Sequence, residues 1–157
     1  MAATCAQCGA AQTELLCGFC GTTSAAVESL DDELHALRYL HSLIQYASPK
    51  AQLRLLQTGF LPHHASVLIE AGLQCFVLIR DSDADDVSTA AAERLATIAT
   101  RLRLGKQDEA VRQAVAQFDE RLKRYRRGQA LLSWTASIVV LLILGAGGWY
   151  WLAHRGH

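Results

Sequence analysis

Residues 5–21 read CAQCGAAQTELLCGFCG, and this stretch decides how the beginning of the chain folds. Its four cysteines form two pairs, each with two residues inside the pair and a glycine after it; they are Cys5, Cys8, Cys17 and Cys20. A Cys-x-x-Cys turn places two sulfurs on one side of an ion, and zinc prefers four thiolates in a tetrahedron. The glycines, Gly9 and Gly21, allow the sharp backbone turn behind the sulfurs. The spacing therefore predicts one zinc ion per chain.

The segment resembles the short zinc-ribbon modules found at the N-termini of many prokaryotic membrane and regulatory proteins. The resemblance covers residues 5–21 and rests on the double CxxCG pattern. It implies a metal-binding head within residues 1–23, and it does not by itself imply a particular function.

The zinc of such a head is expected to be structural, because four protein sulfurs leave no coordination position open for water or substrate. About 20 residues bury little apolar surface, so the metal would supply the folding energy and the head would be separable from the rest. The alternative is that the CxxC pairs perform redox chemistry, although a thioredoxin-like site needs a surrounding βαβ pattern.

Charge argues against nucleic acid as a partner of the head. The whole chain has 15 basic and 15 acidic residues, but residues 1–37 contain no Lys or Arg. Four thiolates and one Zn²⁺ sum to a negative charge, whereas phosphate binding needs a positive one. A protein partner, or the rest of the same chain, is the better expectation for what the head contacts.

Residues 24–104 are predicted to form an α-helical domain. One apolar face recurs at three- and four-residue steps through Val27, Leu30, Leu34, Leu37, Leu40 and Ile44. Prolines and glycines divide the rest: helices are expected from Pro49 to about Gly59, from about Pro62 to Gly72, and over 84–104. Residues 73–79 are ambiguous between strand and helix.

Residues 105–130 are predicted to form a basic juxtamembrane helix. Its apolar residues follow a 4-3-4-3 spacing: Val111, Val115, Phe118, Leu122 and Tyr125. Two heptads are too few to predict a coiled coil, so the seam is expected either to pack on the helical domain or to pair two chains through residues 111–125.

Residues 131–153 form an uncharged apolar run that is long enough to span a bilayer as a helix, with a short tail at 154–157. Basic residues precede the run and orient it: Arg121, Lys123, Arg124, Arg126 and Arg127. Aromatic residues near its ends suit the lipid–water interfaces: Trp134, Trp149, Tyr150 and Trp151. The sequence thus predicts a single-pass protein in contact with membrane lipid, with its N-terminus cytoplasmic and its C-terminus outside.

Other polar clusters have simpler interpretations. Residues 81–86 begin like a calcium loop, but Asp86 and Ala92 stand where such a loop needs glycine and glutamate, so the stretch is better explained as a helix N-terminus. His63 and His64 with Glu70 do not have metal-site spacing, and Cys75 lies in an apolar run typical of the core. No catalytic motif is present, so the chain is not expected to be an enzyme.

The sequence therefore predicts a mainly α protein with a small zinc-ribbon-like head, an α-helical body and a single C-terminal transmembrane helix. The expected function is that of a membrane-anchored, non-catalytic adaptor or regulatory protein that presents the zinc module and the helical domain to a protein partner. The alternative is a redox- or metal-responsive membrane regulator that uses the CxxC pairs.

Overall fold

The computed structural model of the chain describes residues 3–12, 16–23, 27, 29–80 and 85–130. Two short strands, β1 (Ala3–Thr4) and β2 (Ala11–Gln12), pair antiparallel in the N-terminal head. Helices follow in the order α1 (Leu30–Tyr46), α2 (Pro49–Thr58), α3 (Ala65–Leu78) and α4 (Asp86–Leu104), with α5 over 109–130. The prediction of a mainly helical protein with a small cysteine head is confirmed.

The ends of the helices are set by local sequence. Ser29 accepts a hydrogen bond from the backbone N–H of Asp32 at the start of α1, as an N-cap does. Pro49 occupies the first turn of α2, where its missing N–H costs nothing, and Gly59 caps the other end of that helix. Asp85 accepts from the N–H of Ser88 and caps α4, which confirms the helix-N-terminus interpretation for this end of the acidic stretch.

Helix α3 continues through Gly72, where the sequence predicted an end, and residues 73–78 are helical rather than a strand. The reason lies on α5. A Cβ at Gly72 would lie 2.4 Å from the ring of Phe118, so this glycine makes room for the aromatic side chain. Phe118 itself is fully buried. Gly72 is therefore a packing residue in the middle of a helix.

The core of the body is shared by all five helices. It includes Leu37 and Leu40 of α1, Leu55 of α2, and Leu95 of α4. The predicted seam of α5 packs into this same core, which is the first of the two alternatives the sequence left open; its buried members are Val111, Phe118, Leu122 and Tyr125.

A buried carboxylate joins α1 to the start of α3. Glu33 is only 1% exposed, and its two carboxylate oxygens accept hydrogen bonds from the backbone N–H groups of His63 and His64 at 2.8 and 3.0 Å. Burial raises the pKa of Glu33, but these hydrogen bonds and the nearby His64 imidazole outweigh burial, so the pKa is lowered. Glu33 thus caps α3 from another helix.

The predicted membrane localisation is corrected by the structure. Within 3–130, gaps aside, no helix has both the length and the apolarity to cross a bilayer. The described helices are short or amphipathic: α3, the most apolar, has 14 residues and contains Glu70, and the longer helices carry charges on their exposed faces. The prediction of a single-pass membrane protein is therefore wrong for the described residues. The run 131–153, its aromatic residues and the tail lie outside the described residues.

Two of the basic residues assigned to membrane orientation have partners within the protein. Arg121 donates to the carbonyl of Ile79 and lies over the ring of Phe76, with 5.3 Å between guanidinium carbon and ring centroid. Arg124 pairs with Glu120 one turn earlier at 3.0 Å. The remaining three, Lys123, Arg126 and Arg127, are exposed on α5. Arg121 therefore helps to join α5 to the end of α3.

Candidate metal centre

The head consists of two backbone turns that repeat every 12 residues. We call residues 5–9 knuckle 1 and residues 17–21 knuckle 2. In each, the glycine N–H donates to the carbonyl of the first cysteine at 2.8 Å, and φ of that glycine is positive: 72° at Gly9 and 73° at Gly21. The flanking strand pairs also match, because Thr4 pairs with Ala11 as Leu16 pairs with Thr23. The CxxCG pattern thus forms the same turn twice.

The two knuckles bring their four sulfurs together. Sγ of Cys5 lies 3.6 Å from Sγ of Cys20, and Sγ of Cys8 lies 3.6 Å from Sγ of Cys17. All four sulfurs lie within 4.8 Å of one another. Sulfurs at the corners of a tetrahedron about 2.3 Å from a zinc ion would be about 3.8 Å apart. These distances far exceed a disulfide bond of about 2 Å, so the cluster is suited to a metal ion.

Thr22 adds a hydroxyl to the sulfur cluster. Its Oγ1 lies 2.9 Å from Sγ of Cys20 and 3.3 Å from Sγ of Cys5. A hydroxyl can donate its proton to a thiolate and so stabilise the negative charge of a metal ligand. The equivalent position after knuckle 1 is Ala10, so only one side of the cluster receives this donor.

The pKa values of neighbouring thiols in the cluster are shifted in opposite directions. The hydroxyl of Thr22 and the backbone N–H groups of knuckle 1 lower the pKa of Cys5 to about 6. A backbone N–H lowers the pKa of Cys8, but loss of hydration and the three neighbouring thiols outweigh it and raise the pKa to about 12. Four thiols this close cannot all ionise unless a cation balances their charge.

Knuckle 2 is hydrogen-bonded to the end of α2. Its three successive carbonyls, those of residues 19, 20 and 21, accept from Nε of Arg54 at 2.9 Å, Oγ1 of Thr58 at 2.7 Å and the N–H of Phe60 at 2.8 Å. The Arg54 guanidinium also lies over the ring of Phe19, 3.5 Å from its centroid. The head is therefore docked onto the helical body through its second knuckle.

Packing continues this contact into the core. Leu16, just before knuckle 2, is 1% exposed and belongs to the hydrophobic cluster of the helices. A Cβ at Gly21 would lie 2.9 Å from Cα of Gly59 and 2.9 Å from Cδ1 of Leu40. Glycine is thus needed at position 21 both for its positive φ and for this close approach.

Knuckle 1 faces the solvent. Its residues 6–9 are exposed, and Cys8 is the exposed member of a sulfur cluster whose other members are buried. A Cβ at Gly9 would meet no atom within 4 Å. The two knuckles are therefore alike in backbone and differ in their surroundings.

The structure brings the four predicted ligands together and leaves the other polar clusters apart from them. His63 and His64 are exposed, and their backbone N–H groups donate to the carboxylate of Glu33. Cys75 is a buried core residue, as the sequence indicated. Burial raises the pKa of the Cys75 thiol to about 11. Residues 81–84 lie outside the described residues.

Sequence reasoning missed the residues around the ligands, namely Thr22, Arg54 and Thr58. Arg54 and Thr58 belong to a helix far along the chain, and no local pattern links them to the cysteines. Thr22 had a signal, because the 12-residue repeat places it opposite Ala10 and so marks the asymmetry between the knuckles.

None of the protein-family models, curated proteins or solved structures compared with this chain matches it. The likeness to zinc ribbons therefore rests on the double CxxCG pattern and on the geometry of the two knuckles.

Proposed function

We propose that the head binds one structural Zn²⁺ through its four cysteines, and that head and helical body together form a non-catalytic module that binds a protein partner. The observation that carries the proposal is the cluster of four sulfurs within 4.8 Å of one another. Soft thiolates in a tetrahedral set favour zinc among the common divalent ions, and carboxylate-preferring ions such as Mg²⁺ and Ca²⁺ are poorly suited to it.

The residues supply what a structural zinc site needs. Four sulfurs close the coordination sphere, the Thr22 hydroxyl can stabilise thiolate charge, and the positive-φ glycines hold the turns. When bound, the ion would supply a cross-link between the two knuckles. A closed ligand set leaves no position for a substrate, which supports an interaction role over catalysis.

The two knuckles have different surroundings, and this difference supports a role as a binding module. Knuckle 2 is used for docking onto the body, whereas the tip of knuckle 1 is exposed at Ala6 and Gln7. A rigid, metal-stapled tip that is not covered by its own chain is a suitable contact surface for a protein. We assign the partner surface to this tip.

Metal analysis of the full chain, purified under reducing conditions, tests the site. One zinc per chain is expected, and Cys17→Ser should lose most of it because three thiolates no longer close the tetrahedron. The matched control is Cys75→Ser, which changes a buried cysteine outside the cluster and should retain the zinc. Zinc-free wild-type protein, or equal loss in both variants, would refute the site.

A second candidate function is a redox- or metal-responsive regulator, and the exposure of Cys8 favours it. An exposed thiolate ligand can be oxidised while the buried ligands are shielded, and its oxidation would release the metal. Mild peroxide treatment of the zinc-loaded chain distinguishes the two functions. A structural site keeps its zinc, whereas a sensor releases it with modification appearing first at Cys8.

A further inference from the structure

Hydrogen bonds to the backbone of knuckle 2 join it to the end of α2. Three consecutive carbonyls of the knuckle, including that of the ligand Cys20, accept hydrogen bonds from donors within 54–60. Consecutive carbonyls point in the required directions only while the turn keeps its shape. The position of the α2 end is thus tied to the conformation of a metal-ligand turn.

The same end of α2 is also held by α4. Arg94 is buried, and its guanidinium donates to the carbonyls of Leu56, Gly59 and Phe60. Phe60 takes part in both sets of bonds, since its N–H donates to Gly21 and its carbonyl accepts from Arg94. A continuous series of hydrogen bonds therefore runs from knuckle 2 through Phe60 to α4.

We propose that metal binding in the head stabilises the pairing of α2 with α4 through knuckle 2, so that the helical body responds to the metal state of the cysteines. This inference rests on the proposed zinc site. Without a bound cation, nothing cross-links the sulfurs of knuckle 2 to those of knuckle 1, and the turn loses the constraint that fixes its shape. The carbonyls would then leave the donors on α2, and Phe60 would lose the partner of its N–H.

Thermodynamic linkage makes the coupling between metal binding and the knuckle 2–α2 contact reciprocal. If the metal strengthens the contact between knuckle 2 and α2, then weakening that contact must weaken metal binding by the same factor. Thr58 offers a test, because its hydroxyl donates to the carbonyl of Cys20 and yet it is not a ligand. Thr58→Val removes the hydroxyl and keeps the shape of the side chain.

Thr97 on α4 provides the matched control. Both threonines are exposed, and each hydroxyl bonds the carbonyl four residues earlier in its helix, at 2.9 Å for Thr58 and 3.0 Å for Thr97. Only Thr58 also reaches the head. We expect Thr58→Val to weaken zinc binding about 3- to 10-fold and Thr97→Val to leave it unchanged, measured by competition with a chromophoric chelator.

Hydrogen exchange of the full wild-type chain provides the second measurement. Removing zinc with a chelator should speed amide exchange in 54–62, most of all at Phe60, with a smaller change in 109–120 of α5. The series of hydrogen bonds from knuckle 2 ends at Arg94 on α4, so these α5 residues are expected to respond less than 54–62. Amide exchange is read by mass spectrometry and does not depend on any activity.

The outcomes separate the two proposals. If the wild type binds no zinc, the proposed site fails and this inference fails with it. If zinc binds through the four cysteines but Thr58→Val binds as tightly as Thr97→Val, or 54–62 exchanges at the same rate with and without zinc, the site stands and the inference is overturned. Equal loss of protection in 54–62 and 109–120 would also overturn the proposed route through knuckle 2.

Discussion

The two knuckle glycines form a natural pair for testing whether the head is docked on the body. Gly9 and Gly21 occupy the same place in their turns, and their φ values are 72° and 73°. A Cβ at Gly9 would meet open space, whereas one at Gly21 would lie 2.9 Å from Cα of Gly59. Replacing each with alanine therefore imposes the same backbone strain and differs in the contact with the body.

The expected magnitudes follow from these two terms. A left-handed conformation costs a non-glycine residue about 1–2 kcal/mol, and both variants incur that cost. Gly21→Ala adds overpacking against backbone that cannot easily yield, for about 1–3 kcal/mol more. For a unit of this size 1 kcal/mol corresponds to about 4 °C, so Gly21→Ala should melt about 8 °C below Gly9→Ala.

Thermal unfolding of the zinc-loaded chains, followed by the circular dichroism of the helices, measures the difference. Repeating the melts with excess chelator adds a second comparison. Because the knuckles are not expected to hold their shape without metal, the two variants should then melt at similar temperatures. Equal melting temperatures in the zinc-loaded state would refute the docking contact as a source of stability.

Two further substitutions test the surroundings of the site and the body. Thr22→Val should weaken zinc binding about 3- to 10-fold in chelator competition, because it removes a hydroxyl that lies within hydrogen-bond distance of two sulfurs and can donate to a thiolate. Thr22→Ser should restore the affinity, and wild-type affinity in the valine variant would contradict this role. Glu33→Gln should lower the free energy of unfolding at pH 7 by about 1.5–3 kcal/mol in urea titrations, because an amide cannot accept from both N–H groups of α3. The folded-state pKa of Glu33 is lowered, so its contribution is present above the unfolded pKa of about 4.3 and is lost as the pH falls through the folded value. The stability difference between wild type and variant should therefore narrow at acid pH, and a difference independent of pH would contradict the assignment.

Local sequence signals predicted the helices well where caps and breakers agree with the apolar period. Ser29, Pro49 and Gly59 mark helix ends in the structure as they do in the sequence. Gly72 misled the prediction because a glycine can serve packing rather than a turn, and its partner Phe118 lies in a distant helix. Only tertiary contact distinguishes the two uses.

The sequence could predict the ligands of the candidate site, but it could not predict how the head docks onto the helical body. Each CxxCG turn places two sulfurs on one side through its local backbone geometry, and the short spacing keeps the two turns close, which a sequence can reveal. Separability of the head was the natural expectation, since so short a segment has no core. Leu16 joins the helical core instead, and the carbonyls of knuckle 2 meet donors from Arg54 and Thr58, contacts that depend on how α2 is positioned.

X-ray absorption spectroscopy at the zinc edge of the purified, reduced full chain shows directly whether the four cysteines bind zinc. We expect a coordination shell of four sulfurs at about 2.3 Å with no nitrogen or oxygen ligand. A shell with fewer sulfurs, with imidazole or water completing the coordination, or a preparation that holds no zinc, would contradict it.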